Sequence, residues 1–359
     1  MKDEVLMEAI RVLPLNYSFE IEKSIWRLKC ANSKRVALQF PEGLLAYSCI
    51  IADILERWAN VEVVIMGDVT YGACCVDDFT ARALGCDFLI HYGHSCLVPI
   101  QKTTIETLYV FVDIKIDLKH FIDTVKLNFP DPDTRLAFIG TIQFTASLQQ
   151  AREELAKYYK NLSVPQCKPL SPGEVLGCTS CKLQQANDAI IYLADGRFHL
   201  ESMMISNPSA VFYQYEPYSK VFSRERYEFQ EMKRIRYEAI LNARSVDYVG
   251  VILGTLGRQG SPAVLNHIET LLNNRGIKHI VILLSEVFPQ KLDLFKDIKA
   301  WIQIACPRLS IDWGASFTTP LLNPYEATVA FGDAPWEENT YPMDFYSKDG
   351  GSWTVYNAK

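Results

Sequence analysis

The sequence contains no apolar run that approaches the roughly 18 residues needed to cross a membrane as a helix. It also lacks a dense block of lysine and arginine, and its formal net charge of -6 argues against a dedicated nucleic-acid surface. The opening Met1-Lys2-Asp3-Glu4 is acidic and unlike a signal peptide. We therefore expect a cytoplasmic protein with no membrane segment, whose partners are proteins or small molecules and not nucleic acid.

Glycine and proline occur at ordinary levels and 49% of the 359 residues are hydrophobic, so the chain can bury sizeable cores. Apolar strand patterns alternate with helical ones, which predicts an α/β fold. The pattern restarts with strands at Arg35, Arg135 and Tyr248, and a long charged helix is predicted from Ser223 to about Ala243. We predict an N-terminal helix plus a first α/β domain over 1–133, further α/β domains over 134–245 and 246–322, and a C-terminal tail over 323–359.

Ten cysteines are present, and in a reducing compartment they are not expected to form a disulfide framework. Burial explains most of them. Cys74 and Cys178 follow the second predicted strand of their units, and Cys306 follows the third strand of its unit. Ligands of open α/β sheets bind at such strand ends. Three thiolates would suit an iron–sulfur cluster with one open iron or a catalytic zinc completed by water, and spacing alone does not decide between these and simple burial.

Six segments resemble motifs of the diphthamide-synthesis family, in the order in which that family has them. They are residues 71–84 (YGACCVDDFTARAL), 91–99 (HYGHSCLVP), 195–202 (DGRFHLES), 253–260 (LGTLGRQG), 285–290 (SEVFPQ) and 305–314 (ACPRLSIDWG). The resemblance runs from about residue 13 to residue 343 and so covers nearly the whole chain.

The resemblance implies three homologous α/β domains with parallel-type sheets, arranged as a triangle around a central [4Fe-4S] cluster. On the matching motifs, the three cluster ligands would be Cys74, Cys178 and Cys306. Cys75 competes with Cys74, which is preferred because it directly follows the Gly-Ala pair. Cys181 completes a local Cys-x2-Cys pair with Cys178, and the resemblance assigns it no role.

The implied activity is the first step of diphthamide synthesis, carried out by radical chemistry without the compact Cys-x3-Cys-x2-Cys loop of the familiar radical enzymes. On this resemblance, an electron from the reduced cluster would break the bond between sulfur and the methionine γ-carbon of S-adenosylmethionine. The resulting 3-amino-3-carboxypropyl radical would add to C2 of a histidine of translation elongation factor 2. The protein would align the bond and exclude water.

The S-adenosylmethionine contacts are predicted at two loops. Gly254, Gly257 and Gly260 lie between a strand and a helix, where backbone N–H groups could hold the carboxylate, although a tight turn explains them equally well. The polar contacts of this loop would be Arg258 and Gln259. On the other loop, Arg197 could pair with a carboxylate and His199 could touch the ligand, with a salt bridge and a structural histidine as their respective alternatives.

The resemblance also implies protein partners. Residues 13–20 resemble the opening of the eukaryotic members, which pair two homologous chains, so we favour a heterodimer with a homologous second subunit over a homodimer. A small metal-binding protein would donate the electron. The alternative function is a non-catalytic scaffold subunit of the same synthase, and a zinc-dependent α/β enzyme is a third possibility. Retention of all three cysteines favours the transferase.

Overall fold

The computed structural model describes residues 3–184 and 186–358, so the predicted limits at residues 1 and 359 lie outside the described residues. The strands in chain order are β1 (Tyr17–Ser18), β2 (Arg35–Gln39), β3 (Glu62–Ile65), β4 (Phe88–Tyr92), β5 (Glu106–Val110), β6 (Asp113–Ile114), β7 (Leu136–Gly140), β8 (Leu162–Ser163), β9 (Ala189–Leu193), β10 (Phe212–Glu216), β11 (Val221–Glu225), β12 (Tyr248–Gly254), β13 (Lys278–Leu284), β14 (Ala300–Ile304) and β15 (Leu321–Leu322).

The helices connect these strands and cover their faces. They are α1 (Glu4–Ile10), α2 (Ile21–Ala31), α3 (Glu42–Leu45), α4 (Ser48–Ala59), α5 (Asp78–Ala83), α6 (Leu118–Asn128), α7 (Thr145–Leu155), α8 (Phe198–Ser206), α9 (Phe229–Ala243), α10 (Pro262–Asn274), α11 (Pro289–Leu292), α12 (Pro307–Trp313) and α13 (Pro324–Phe331). Among the residues described, no helix combines the length and the apolar character needed to span a bilayer.

Three of the sheets share one plan. Their parallel strands run in the orders β3-β2-β4-β5, β8-β7-β9-β10 and β13-β12-β14-β15, so each places its first strand between its second and third. This order puts a topological switch point between the first and third strands, where open α/β sheets bind ligands. The α/β prediction is confirmed, and the repeated order matches the predicted restart of the pattern.

Burial explains why the parallel strands are nearly continuous apolar runs. In β2, Val36 and Leu38 face one hydrophobic core, whereas Ala37 faces another on the opposite side. Every residue of β4, β7, β9 and β14 is buried. A strand covered on both faces needs apolar residues at every position, not at alternate ones.

The third sheet shows the same principle with larger side chains. Trp301 of β14 is paired with Gly250 of β12 and is almost completely buried. A Cβ atom built on Gly250 would lie 2.2 Å from the Trp301 ring, so the absence of a side chain at this glycine provides the space that the indole occupies.

The chain divides into two compact units. The first contains Met1–Val175, Gln184–Arg197 and Ala210–Glu225, and the second contains Leu176–Leu183, Phe198–Ser209 and Arg226–Lys359. The first two of these sheets therefore belong to the first unit and the third sheet to the second unit. The loop that carries Cys178 and helix α8 also belong to the second unit, although they fall within the predicted domain 134–245. The three-domain division and its triangular arrangement stay predictions.

The predicted helix from Ser223 begins later than expected. Residues Val221–Glu225 form β11, which pairs antiparallel with β10, and α9 begins at Phe229. The two strands are joined by a short turn in which Lys220 has a φ of 58°. Cross-strand stacking of Phe222 on Tyr213, with ring centroids 5.4 Å apart, stabilises the hairpin. Hairpin pairing thus overrides the helical pattern.

The predicted tail over 323–359 begins with a helix instead of an irregular extension. Asn323 and Glu326 form a capping box at the start of α13, and nearly all of this helix is buried. A helix buried on all sides has no polar face, so its sequence shows no helical period. Residues after this helix contribute Tyr341 and Met343 to the same hydrophobic core.

Candidate metal centre

Cys74 lies in a short 3-10 turn, Ala73–Cys75, that follows β3 in the first unit. Its side chain is partly exposed, whereas the neighbouring Cys75 is completely buried. Burial in apolar surroundings raises the pKa of a thiol and so opposes the thiolate form that binds a metal. The difference in exposure therefore favours Cys74 over Cys75 as the ligand.

The buried side chain of Gln39, at the end of β2, holds the backbone that follows Cys74. Its Nε2 donates to the carbonyl oxygen of Cys75 at 2.9 Å, and its Oε1 accepts from the backbone N–H of Asp77 at 3.2 Å. The same oxygen lies 2.9 Å from Nδ1 of His91 in β4. Because an amide oxygen only accepts, His91 carries its hydrogen on Nδ1. One amide therefore joins the first and third strands to the cysteine turn.

The two buried histidines beside this turn are neutral at pH 7. Burial, and then the neighbouring His94, holds the pKa of His91 well below its usual range. Burial likewise lowers the pKa of His94 to about 4. His94 Nδ1 lies 3.4 Å from Thr70 Oγ1. These rings support the turn as neutral hydrogen-bonding groups.

Cys178 lies in the loop Leu176–Leu183 of the second unit and is partly exposed. A tight turn forms there because the Leu176 N–H donates to the Thr179 carbonyl at 2.9 Å. Thr179 Oγ1 in turn donates to Asp344 at 3.1 Å. Burial first, and then Cys306 and Asp344, raise the pKa of the Cys178 thiol well above its usual value. Cys306 is therefore one of the groups that affect the protonation of the Cys178 thiol.

Cys306 lies between β14 and α12, at the N-cap position of that helix. Its backbone is held by Gln303, which is completely buried. Gln303 Nε2 donates to the Cys306 carbonyl at 2.8 Å, and Oε1 accepts from the Ala305 N–H at 3.0 Å. The same Nε2 donates to Ser310 Oγ at 2.9 Å. A buried amide thus holds the backbone at this cysteine, as one does near Cys74.

The donor set fits an iron–sulfur cluster in part. Thiolates are the usual ligands of such clusters, and the second unit contains both Cys178 and Cys306. Cys74 belongs to the first unit, so its convergence with the other two stays a prediction. Within residues 3–184 and 186–358, no group of three or more His, Cys, Asp or Glu side chains is arranged to hold a single metal ion.

The glycine loop between β12 and α10 folds tightly against the end of β14. A Cβ atom on Gly254 would lie 2.6 Å from that of Ala305, and one on Gly260 would lie 2.2 Å from the Gly254 carbonyl oxygen. Gly257 has a φ of 56°, in the left-handed region that favours glycine. The loop therefore requires small residues and lies beside the residue that precedes Cys306.

The polar residues of this loop lie just before the start of a long helix. Arg258 and Gln259 are partly exposed, and Ser261 caps α10 by accepting from the Val264 N–H at 3.4 Å. The first N–H groups of a helix favour an anion at this end. The loop lies at this end of the helix, and binding of S-adenosylmethionine here stays a prediction.

The structure assigns Arg197 and His199 to different units. Arg197 belongs to the first unit, where it forms an ion pair with Glu225 of β11. His199 lies on α8 in the second unit, with its ring centroid 5.5 Å from that of Phe198. The predicted salt-bridge alternative for Arg197 is therefore present, and the roles of both residues toward S-adenosylmethionine stay predictions.

Cys181, the other half of the Cys-x2-Cys pair, lies near the end of the Cys178 loop. Asn207 Nδ2 donates to the Cys181 carbonyl at 2.9 Å, and Asn207 Oδ1 accepts from the Leu183 N–H at 2.8 Å. Asn207, the residue that directly follows α8, therefore anchors this end of the loop. These contacts use the backbone of Cys181 and not its thiol.

Sequence reasoning missed the two glutamines that hold the cysteine turns. Gln39 ends the apolar run of β2, and Gln303 interrupts that of β14. A single amide inside an otherwise apolar strand is the signal that would have found them. Such a side chain must meet hydrogen-bond partners when the strand is buried.

Comparisons with known proteins identify the family. A profile described as "Putative diphthamide synthesis protein" matches residues 40–342. The chain belongs to the diphthamide-synthesis family. A 2-(3-amino-3-carboxypropyl)histidine synthase subunit 1 from Dictyostelium discoideum is 61% identical over 99% of this chain and 77% of its own length. The subunit of the same name from Homo sapiens is 58% identical over 100% of this chain and 82% of its own length.

Solved structures of the diphthamide-synthesis family agree with the fold. Dph2 from Pyrococcus horikoshii is 27% identical and has a TM-score of 0.73, covering 89% of this chain and 92% of that one. A structure of Dph2 from the same organism with a 4Fe-4S cluster is 26% identical with the same TM-score, covering 91% of this chain and 97% of that one. The family expectation is confirmed, and the relatives are enzyme subunits of this pathway.

Proposed function

We propose that this chain is a catalytic subunit for the first step of diphthamide synthesis. It transfers a 3-amino-3-carboxypropyl group from S-adenosylmethionine to C2 of a histidine of translation elongation factor 2. The proposal is supported by the similarity to synthase subunits over nearly the whole chain. The structural observation that carries it is the connection between the two cysteine segments of the second unit: Arg308, two residues after Cys306, donates to the carbonyl oxygen of Gly177, which directly precedes Cys178.

Cys74, Cys178 and Cys306 would hold a [4Fe-4S] cluster, as supported by the 4Fe-4S cluster of the similar Dph2. When bound and reduced, such a cluster supplies one electron for cleavage of the bond between sulfur and the γ-carbon of S-adenosylmethionine, which yields an aminocarboxypropyl radical. Because a thiol must lose its proton to bind iron, Cys178, whose pKa is raised, would release a proton when the cluster is loaded.

This chain's own residues would bind and orient the S-adenosylmethionine. The glycine loop from Gly254 to Gly260 would hold its carboxylate beside the strand end that leads to Cys306, and Arg258 and Gln259 would be polar contacts. The contact of Gly254 with Ala305 supports this position. Arg197 and His199 would contribute polar contacts. The bound molecule would thereby be oriented so that one carbon–sulfur bond, and not the other two, is cleaved.

The proposed partners follow from the same reaction. A homologous second subunit would complete a heterodimer, a small metal-binding protein would supply the electron, and elongation factor 2 would be the protein substrate. The name "subunit 1" of the relatives supports a partner subunit. The reaction is proposed to take place in the cytoplasm, without direct contact to nucleic acid.

Mass spectrometry of elongation factor 2 tests the proposed transfer. The factor is incubated anaerobically with the reconstituted chain, its second subunit, S-adenosylmethionine and dithionite, and the acceptor peptide is sequenced. Addition of an aminocarboxypropyl group to one histidine, lost with Cys306→Ala, supports the proposal. Equal modification by the second subunit together with the Cys306→Ala variant would instead support a scaffold role for this chain.

A further inference from the structure

Arg308 is a buried charge in the second unit, only 2% exposed and two residues after Cys306. Its Nε donates to both carboxylate oxygens of Asp312 at 2.9 Å, and its Nη2 donates to Glu201 at 2.6 Å. Both acids are themselves mostly buried, at 22% and 23% side-chain exposure. The charge is therefore paired on two sides, as a buried guanidinium requires.

The remaining nitrogen of Arg308 reaches the backbone of two other segments. Nη1 donates to the carbonyl oxygens of Gly177 at 3.2 Å and Phe198 at 2.6 Å. Gly177 directly precedes Cys178, and Phe198 begins α8. One side chain thus joins the Cys178 loop, the start of α8 and the helix that follows Cys306.

A ring contact completes this connection. The guanidinium carbon lies 4.2 Å from the centroid of the Phe198 ring, within the range of a cation–π interaction. A Cβ atom built on Gly177 would lie 2.0 Å from Cε1 of that ring. Only glycine therefore allows the loop to approach Phe198 and Arg308 this closely.

We propose that Arg308 is a positioning residue for the metal centre, which fixes the Cys178 loop against α12 and so sets the separation of the Cys178 and Cys306 sulfurs. The inference rests on the proposed function, in which both cysteines are cluster ligands. The planar fork of arginine donates to four groups in fixed directions, whereas the single ammonium of lysine cannot reproduce this geometry. Partners of this kind orient the ligands of a metal without touching it.

Arg236 in the same unit provides a matched control. It is 1% exposed and pairs with Glu326 through two bonds of 2.6 and 2.7 Å, and it donates to the Leu321 carbonyl at 2.7 Å. None of these contacts reaches the Cys178 loop. Arg236→Lys and Arg308→Lys therefore disturb similar buried ion pairs, but only Arg308→Lys disturbs the connection to Cys178.

The test measures the two thiols with and without iron. The chain without its cluster is treated at mildly alkaline pH with dibromobimane, a short reagent that bridges neighbouring thiols, and the Cys178–Cys306 product is identified by peptide mapping. Separate samples are reconstituted anaerobically and assayed for iron. For Arg308→Lys we expect the cross-linking rate and the affinity for iron to fall by about 10-fold or more. For Arg236→Lys we expect a lower Tm with both readouts unchanged in the folded chain.

A second variant keeps the test decisive if Arg308→Lys does not fold. Gly177→Ala should slow the cross-linking because its methyl group displaces the loop, and Phe198→Leu in the same chain should partly restore the rate. Wild-type rates of cross-linking and full iron loading in Arg308→Lys, or in Gly177→Ala, would overturn the proposal. Arg308-dependent cross-linking in a wild-type chain that takes up no iron would support the positioning role and contradict the proposed function.

Discussion

The turn that carries Cys74 and the segments that carry Cys178 and Cys306 are held by different chemistry. In the first unit, the amide of Gln39 and the neutral ring of His91 fix the turn through uncharged hydrogen bonds. In the second unit, an amide again fixes the strand end, and a buried guanidinium is added. In this molecule, a neutral amide holds each cysteine that directly follows a strand or its turn, whereas a buried guanidinium joins the separate segments of Cys178 and Cys306.

The largest expected effect comes from the cysteines themselves. Cys74→Ala, Cys178→Ala and Cys306→Ala should each abolish cluster loading, because a [4Fe-4S] cluster with an open iron has no ligand to spare. Cys181→Ala should retain the cluster. Iron and sulfide content and visible absorbance after anaerobic reconstitution measure both. Loss of iron in the Cys181 variant together with full loading in the Cys74 variant would reverse the assignment.

The next largest effect is expected when the buried glutamines that hold the cysteine turns are replaced. Gln39→Leu and Gln303→Leu each leave buried backbone groups without partners, which should lower the free energy of unfolding by about 1–3 kcal/mol. Both should also reduce iron loading, because the cysteine turns lose their anchor.

Gln214→Leu is the control for the glutamine variants. Gln214 donates to the carbonyls of Ala194 and Gly196 at 3.1 and 3.0 Å, in a loop that carries none of the predicted iron ligands. It should lower stability in urea unfolding to a similar extent and leave the iron content unchanged. An equal fall in iron content for all three variants would show that Gln39 and Gln303 stabilise the fold without any specific effect on the cysteine turns.

A smaller effect concerns the pH dependence of stability, which should come from the neutral histidines beside the Cys74 turn and not from the Arg308 guanidinium. Burial lowers the pKa of His94 to about 4, below its unfolded value of 6.5, so the unfolded chain takes up the proton first as the pH falls. The contribution of neutral His94 to the free energy of unfolding is therefore complete above pH 6.5 and is lost between pH 6.5 and about 4. From pH 7 to pH 5 the loss should be about 2 kcal/mol.

Urea unfolding at these two pH values measures the dependence. His94→Gln should reduce it, since glutamine keeps a polar side chain that does not titrate. His91, whose pKa is also lowered by burial, would contribute in the same direction in both chains. An unchanged pH dependence in the variant would show that His94 does not titrate as described.

The smallest effect is expected at the exposed ion pair of Arg197 and Glu225. The Arg197 side chain is 48% exposed, so Arg197→Ala should change the free energy of unfolding by only about 0.5 kcal/mol. Because we propose that Arg197 also contacts S-adenosylmethionine, we expect the same variant to raise KM for this substrate. Arg135→Ala, which removes another exposed pair, should leave KM unchanged. An unchanged KM in both variants would leave Arg197 a purely structural role.

The strands were predictable because their signals are local. A buried parallel strand is a short apolar run, and a cysteine that follows one is expected near the carboxyl end of the sheet. The metal and the substrate were proposed from the family motifs, because spacing alone did not indicate them. The buried helix α13 was missed because a helix covered on all sides has no polar face to create a period.

The groups that hold the cysteines were not predictable from the sequence. Arg308 acts on Gly177, which is distant in sequence, and nothing in the local pattern marks that contact. Gln39 and Gln303 become informative only when the strands that contain them are known to be buried. Tertiary contacts of this kind depend on how separate segments pack, and short-range sequence patterns do not encode that packing.

The most direct test of the central claim is the product of S-adenosylmethionine cleavage. The chain is reconstituted anaerobically with iron and sulfide, reduced with dithionite and incubated with S-adenosylmethionine, and the products are separated by chromatography. We predict methylthioadenosine, because the γ-carbon bond is broken, and its loss in the Cys178→Ala variant. Formation of 5′-deoxyadenosine, or the binding of zinc without any cluster, would contradict the account.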